Sequence, residues 1–295
     1  MARGRPAVSV VVPFLGSDAD LVSLVERLER IDTRAGDELI VADNRSTGAG
    51  EDATPAGVII HPAGGVRSPG FARNRGAARA SCPWLVFIDA DTDPDRGLLD
   101  AYFETAPGEL TAVLAGAIVD IAPAVDGTLP GLAARHAVER RHMDARTTLD
   151  RPRFAYAQTA NCAVRRDAFA GVGGFVEEVL AGEDADLCFR LAERGWGLER
   201  RPAAVVRHRA RETLAGALSQ LARHGAGAAW CNRRHPGSFP PPAPAQLIRR
   251  LGRSAVTAAG AAFGRDREEA AFAALDMLEM LAFEGGRLLR NRARR

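Results

Sequence analysis

Along most of the chain, unbroken apolar runs alternate with stretches in which apolar residues recur every three or four positions. "VSVVVP" at 8–13 is apolar almost throughout, as in a strand covered on both faces, and "DADLVSLVERLERI" at 18–31 sets Leu21, Leu24, Val25 and Leu28 on one helical face. "ELIVAD" (38–43) and "GVIIH" (57–61) predict two more strands, "PGFARNRGAARAS" a helix, and "WLVFI" (84–88) a fourth strand with a helix over Arg96–Glu104. This rhythm predicts an α/β fold with a mostly parallel sheet flanked by helices, and such sheets bind ligands at the carboxyl ends of their strands. Further on come a long strand at 111–121, a charged helix at 131–148, a strand at 157–164, a helix at 184–194 and a strand at 203–208. From Glu212 the pattern is helical, broken by the proline-rich "HPGSFPPPAPA" at 235–245. The expected organisation is a domain at 1–211 and a C-terminal helical extension at 212–295 with a proline-rich strap.

The fourth strand runs into "FIDADTDPD", with aspartates on alternate positions from Asp89. In an extended chain the Asp89 and Asp91 carboxylates point the same way and repel unless a cation or donor lies between them. A calcium loop of the EF-hand type fails, because the sixth position is Pro94 and the twelfth Asp100. A phosphatase of the haloacid dehalogenase type, which Asp-x-Asp-x-Thr would signal, is weak: the fifth position is Asp93 and the chain has no lysine. A divalent ion held against a nucleotide diphosphate remains, beside a plain acidic turn, and Asp-x-Asp alone does not choose between them.

At 295 residues and 46% apolar composition the chain can bury a sizeable core. All 39 basic residues are arginine and the formal charge is only +2, which argues against a nucleic-acid binder and excludes lysine chemistry. The four cysteines lie far apart without a C-x-x-C, so neither a zinc ribbon nor a disulfide framework is expected, and a reducing cytoplasm is. Pro13 interrupts the N-terminal apolar run, which is taken as a first strand rather than a leader, and the uncharged run Ser254–Gly264 is too short to span a bilayer.

The order of "VVVPFLG", "IVADNRSTG", "GFARNRGAARAS", "FIDADTDPD", "ANCAVRRDAFAGVGGF" and "GEDADLCFRLAERGWGLE" resembles the family 2 glycosyltransferases, inverting enzymes of the GT-A fold, over about residues 8–208. The resemblance implies that Asp43 contacts the donor's base, with Pro13 and Phe14 beside it, and that Arg73 and Asn74 lie near the donor. It implies that Asp89 and Asp91 form the Asp-x-Asp metal motif for Mn2+ or Mg2+, with His208 a further metal ligand as in some members. The pair Glu183 and Asp184 is implied as the catalytic acidic pair, Asp184 being the general base. Glu177 and Glu178 stand further from "GGF" than the family's acidic residue often does, which leaves acceptor contacts there open. The implied reaction moves a sugar from a nucleotide-diphosphate donor, a UDP-sugar first, to a hydroxyl acceptor.

Each of these residues also suits a plainer role. Asp43, Asn44 and Ser46 fit a turn, Arg73 and Asn74 a helix surface, His208 an exposed loop, and Asp184 a helix cap. A nucleotide-sugar binding protein without activity is a second function class, and a nucleotidyltransferase or retaining transferase of similar fold a third. In the tail, Phe272, Leu275, Leu278 and Leu281 share a helical face before Arg290, Arg292, Arg294 and Arg295. That helix either packs on the protein or makes peripheral contact with the inner face of a membrane, where a lipid-linked acceptor would lie.

Overall fold

The computed structural model describes residues 4–45, 52–122, 128–264 and 266–294. Ser46 and Arg295 lie outside them. In chain order the elements are β1 (Val8–Phe14), α1 (Asp18–Leu28), β2 (Glu38–Asp43), β3 (Val58–Pro62), α2 (Pro69–Arg79), β4 (Trp84–Ile88), β5 (Thr92–Pro94), α3 (Leu98–Ala101) and β6 (Thr111–Ile121). There follow α4 (Leu132–Arg140), α5 (Arg146–Leu149), β7 (Asn161–Arg165), α6 (Arg166–Gly171), α7 (Glu183–Glu193), β8 (Gly197–Arg209), α8 (Leu214–Arg234), α9 (Pro244–Phe263) and α10 (Arg267–Gly286). The chain forms two compact units, one from residues 1–120, 143–209 and 292–295, the other from 121–142 and 210–291.

The first unit is built on a sheet of strand order β3-β2-β1-β4-β7-β6-β8-β5. The expected parallel pairing holds across β3, β2, β1 and β4, whereas β7 runs antiparallel to β4 and β6, and β5 antiparallel to β8. Alternate residues of the apolar strands serve opposite layers. Val10, Val12, Val86 and Ile88 pack with Leu24 and Leu28 of α1 and Leu98 and Leu99 of α3. Val11, Leu85 and Phe87 pack with Ala77 of α2, Phe169 of α6 and Leu187 and Leu191 of α7. Helix α2 lies unusually close to β1: a Cβ on Gly76 would stand 2.5 Å from Val11 Cγ1. Arg73, on the same helical face one turn earlier, is thereby carried to the carboxyl ends of the strands.

Several elements differ from the pattern-based expectation, among them β8, which begins already at Gly197 where a strand was expected only from 203. The charged stretch 131–148 is two helices, α4 and α5, because Arg141 adopts a left-handed conformation (φ 50°) that ends the first. The strand expected at 157–164 begins only at Asn161, after a turn in which Asn161 N–H bonds the Gln158 carbonyl. The helix expected over 96–104 shrinks to α3, and the three-residue β5 precedes it.

In the second unit α10 packs against both α8 and α9, and α4 joins α8 and α10. The proline-rich segment is irregular from His235 to the start of α9 at Pro244. Of the expected tail face, Phe272 and Leu275 are buried while Leu278 and Leu281 are exposed. No helix among the described residues is long and apolar enough to cross a membrane.

Candidate active site

The Asp-x-Asp segment is a turn rather than a continued strand. Thr92 bonds the Asp89 carbonyl through both its N–H (3.1 Å) and its hydroxyl (2.7 Å), so the two carboxylates do not converge as an extended chain would require. Asp89 accepts from Arg73 Nη2 at 2.6 Å, and Asp91 turns toward His208. The turn is braced from α1, where Arg27 donates to the carbonyls of Ala90 (2.7 Å) and Thr92 (3.2 Å).

His208 reaches this turn through sheet register. In β8 the alternate residues Ala204, Val206 and His208 are buried, and β5 pairs antiparallel with Thr92 opposite His208. His208 is therefore a buried strand residue, not an exposed loop histidine. Its Nδ1 lies 3.1 Å from Asp120 Oδ1 and its Nε2 3.7 Å from Asp91 Oδ2. Burial opposes charging of the imidazole, but the bond to Asp120 and the fields of Asp91 and Asp89 outweigh it and raise its pKa. The second distance is too long for a hydrogen bond, yet two ligands of one ion stand roughly 3–4 Å apart when each bond is about 2.1 Å. An imidazole nitrogen and a carboxylate so spaced, with the other nitrogen tied to a carboxylate, could hold a divalent metal ion.

At the head of α7, Gly182 takes a left-handed conformation (φ 85°) as N-cap, which puts Glu183 and Asp184 in the first turn rather than Asp184 at the cap. Glu183 is buried and accepts from Arg73 Nη1 at 2.7 Å, so one guanidinium joins the fourth strand's end to the start of α7. Arg73 Nε, also buried, has no hydrogen-bond partner among the described residues. Asp184 is partly buried, and its Oδ1 accepts the Ala185 N–H at 2.8 Å. Burial and the neighbouring Glu183 charge push its pKa up to about 7, against the smaller pull of Arg73. A carboxyl titrating there suits proton acceptance near neutral pH. Asp186 is fully buried and committed to Arg190 Nε at 2.7 Å, and Arg190 also bonds the carbonyls of Val172 and Gly174.

The remaining predicted residues are occupied otherwise. Asn74 spends its side chain on the backbone N–H and carbonyl of Phe175 and on Glu177, fastening the "GGF" turn to α2. Asp43 is gripped by Arg45 through Nε (2.8 Å) and Nη2 (2.6 Å), so a ligand reaching Asp43 meets that guanidinium first. Phe14 is buried beneath Arg45, whose Cζ stands 5.3 Å from the ring centre, and Pro13 lies opposite Ala42 in the β1–β2 pairing.

A family model described as "Glycosyltransferase like family 2" matches residues 6–227. The chain belongs to this glycosyltransferase family. Two curated relatives, the pre-mycofactocin glycosyltransferases of Mycobacterium tuberculosis strains CDC 1551 / Oshkosh and ATCC 25618 / H37Rv, are each 31% identical over 244 residues, covering 79% of this chain and 49% of theirs. The chain thus spans about half the length of the curated relatives it matches. Among solved structures, a mannosyltransferase from Pyrobaculum calidifontis in complex with GDP-Man and Mn2+ aligns at TM-score 0.60 and 17% identity, over 96% of this chain and 87% of that one. That likeness is one of fold, and the fold is GT-A.

Three residues that brace the candidate site were not read from the sequence. Asp120 occupies an otherwise apolar strand, where period-two alternation with Ile118 was the one available signal. Arg27 borders the apolar face of α1, and Arg190 looks like any helix-surface arginine. Each is defined by partners remote in sequence.

Proposed function

We propose that this glycosyltransferase moves a sugar from a nucleotide-diphosphate donor to an acceptor hydroxyl with inversion, Asp184 serving as general base. The observation that carries this reading is the Arg73 bridge, which ties Asp89 of the Asp-x-Asp turn to Glu183 at the head of α7, directly beside a carboxyl whose pKa is pushed up to about 7. Asp91 and His208 would hold Mn2+ or Mg2+, with Asp120 fixing the His208 ring. When bound, such an ion offsets negative charge on the departing diphosphate. Arg73 fixes a positive charge at the donor end while its pairing with Glu183 leaves Glu183 a positioning residue rather than a base. Asp184 accepts the acceptor's proton as its oxygen attacks the anomeric carbon from the side opposite the diphosphate, and a single displacement inverts that centre.

Asp43 with Arg45 and the flanking Pro13 and Phe14 is the proposed base-recognition end. A UDP-sugar is the first donor to test, beside the GDP-Man of the structural neighbour. The proposed acceptor is lipid-linked, met from the cytoplasmic side by peripheral contact.

The test is donor turnover against pH for the wild type and Asp184→Asn. Because the base works ionised, the wild-type rate should rise tenfold per pH unit below about 7 and level off above it. Asp184→Asn should lose about a hundredfold or more with donor affinity kept. Because folding raises the pKa of Asp184, ionising the carboxyl weakens the fold, so Asp184→Asn should melt higher than the wild type at pH 8, the difference shrinking below about pH 7 and closing near the ordinary carboxylate value of 3.8. Near-normal turnover in Asp184→Asn removes the base assignment, and a binding protein without activity would turn over no donor at any pH.

A further inference from the structure

Within the second unit, α4 and the residues after it meet α10 through a cluster that glycosyl transfer does not use. His136 is fully buried, with Nδ1 3.1 Å from Glu279 Oε1 and Nε2 2.8 Å from Asp276 Oδ1. His142 brings a second imidazole to the same carboxylate, its Nε2 3.2 Å from Glu279 Oε2. One ligand atom from each of His136, His142 and Glu279 lies within 4.8 Å of the others.

We infer that His136, His142 and Glu279 form a zinc site that clasps α4 to α10. The donor set is two imidazoles and one carboxylate, which Zn2+ takes in tetrahedral geometry. In such a site with bonds of about 2.0–2.1 Å, ligand atoms stand about 3.3 Å apart; His136 Nδ1 is 3.1 Å from one Glu279 oxygen, His142 Nε2 is 3.2 Å from the other, and one ligand atom of each residue lies within 4.8 Å of the rest. The supporting shell is built as well. Asp276 holds the far nitrogen of His136 and so selects Nδ1 as ligand, while Arg140 binds Asp276 Oδ2 at 3.1 Å and Glu269 at 2.9 Å. The Phe272 ring packs on His136 with centroids 5.4 Å apart, shielding the buried side, and His142 is 30% exposed, which gives an ion a way in. Metal entry displaces the protons that the two imidazoles share with Glu279, so uptake releases protons.

The experiment uses the full chain carrying Asp91→Ala, which removes the donor-side carboxylate from the count. After chelation, titration with Co2+ should give an intense visible absorption of a four-coordinate site, saturating at one equivalent and abolished by Zn2+, which should also raise Tm. Adding His142→Ala, or separately Glu279→Gln, should remove the absorption and weaken Zn2+ binding by about a hundredfold or more. His142 is the more exposed ligand, so His142→Ala should keep the metal-free Tm of its parent. Absence of the absorption in the Asp91→Ala chain, or its survival in both further variants, overturns the site.

Discussion

Asp120 decides which nitrogen of His208 faces Asp91. With Nδ1 tied to the Asp120 carboxylate, the Nε2 lone pair is the one available to an ion, and the carboxylate raises its basicity. Asp120→Asn keeps the side chain's shape and an acceptor for the Met143 N–H, which Asp120 bonds at 2.9 Å, but withdraws the charge. Mn2+ affinity measured by calorimetry should fall by about ten- to a hundredfold, the usual effect of losing a carboxylate behind a ligating histidine. Unchanged affinity would remove His208 from the ligand set. At this scale the sequence placed acidic residues at the ends of apolar strands, Asp43 closing β2 and Asp89 following β4. It was silent on Asp120, whose partner is 88 positions away, and it left Arg73 open between surface and site until its contacts with Asp89 and Glu183 were known.

Among the elements, α1 works on the Asp-x-Asp turn from outside the candidate site. Arg27 extends to the turn that separates Asp89 from Asp91 and supplies two charged hydrogen bonds to its carbonyls. Arg27→Met retains the apolar stem but leaves both carbonyls short of a donor, at a cost of about 2 kcal/mol in urea denaturation. Mn2+-dependent donor binding should weaken by about tenfold as the turn loosens, while the pH at which turnover levels off stays put because Asp184 is untouched. Full donor affinity in this variant would mean that the Thr92 bonds to Asp89 hold the turn alone. The strands β1 to β4 and helix α2 were legible to within about two residues, since runs covered on both faces carry no polar position to confuse their ends. The direction of β7 was not, because side-chain alternation is the same in parallel and antiparallel ladders, and only its pairing with β4 shows it. β5 is too short to leave a pattern and exists by pairing with β8.

For the whole molecule, the question is which surface would meet a membrane. The tail helix α10 was the sequence's candidate, but Phe272 and Leu275 are buried and its apolar face is divided. Helix α9 is the better surface. Leu247, Leu251, Ser254 and Ala258 are its partly covered side, whereas Ile248, Val256 and Phe263 are 69%, 74% and 89% exposed. Arg249 and Arg253 border that exposed apolar stripe, and α9 has no acidic residue. An apolar stripe edged by arginine is the pattern of a helix lying in the headgroup plane, and two arginines contribute about 2 kcal/mol near an anionic surface. The whole chain should therefore co-float with phosphatidylserine-containing vesicles at low salt and much less with phosphatidylcholine alone. Salt at about 0.5 M shortens the screening length to a few ångströms and should release most of it. Val256→Glu with Phe263→Glu should abolish flotation at any salt while turnover on a soluble acceptor stays unchanged. A chain that remains at the bottom of the gradient with anionic vesicles at low salt has no membrane surface on α9, and the lipid-linked acceptor then loses its physical support.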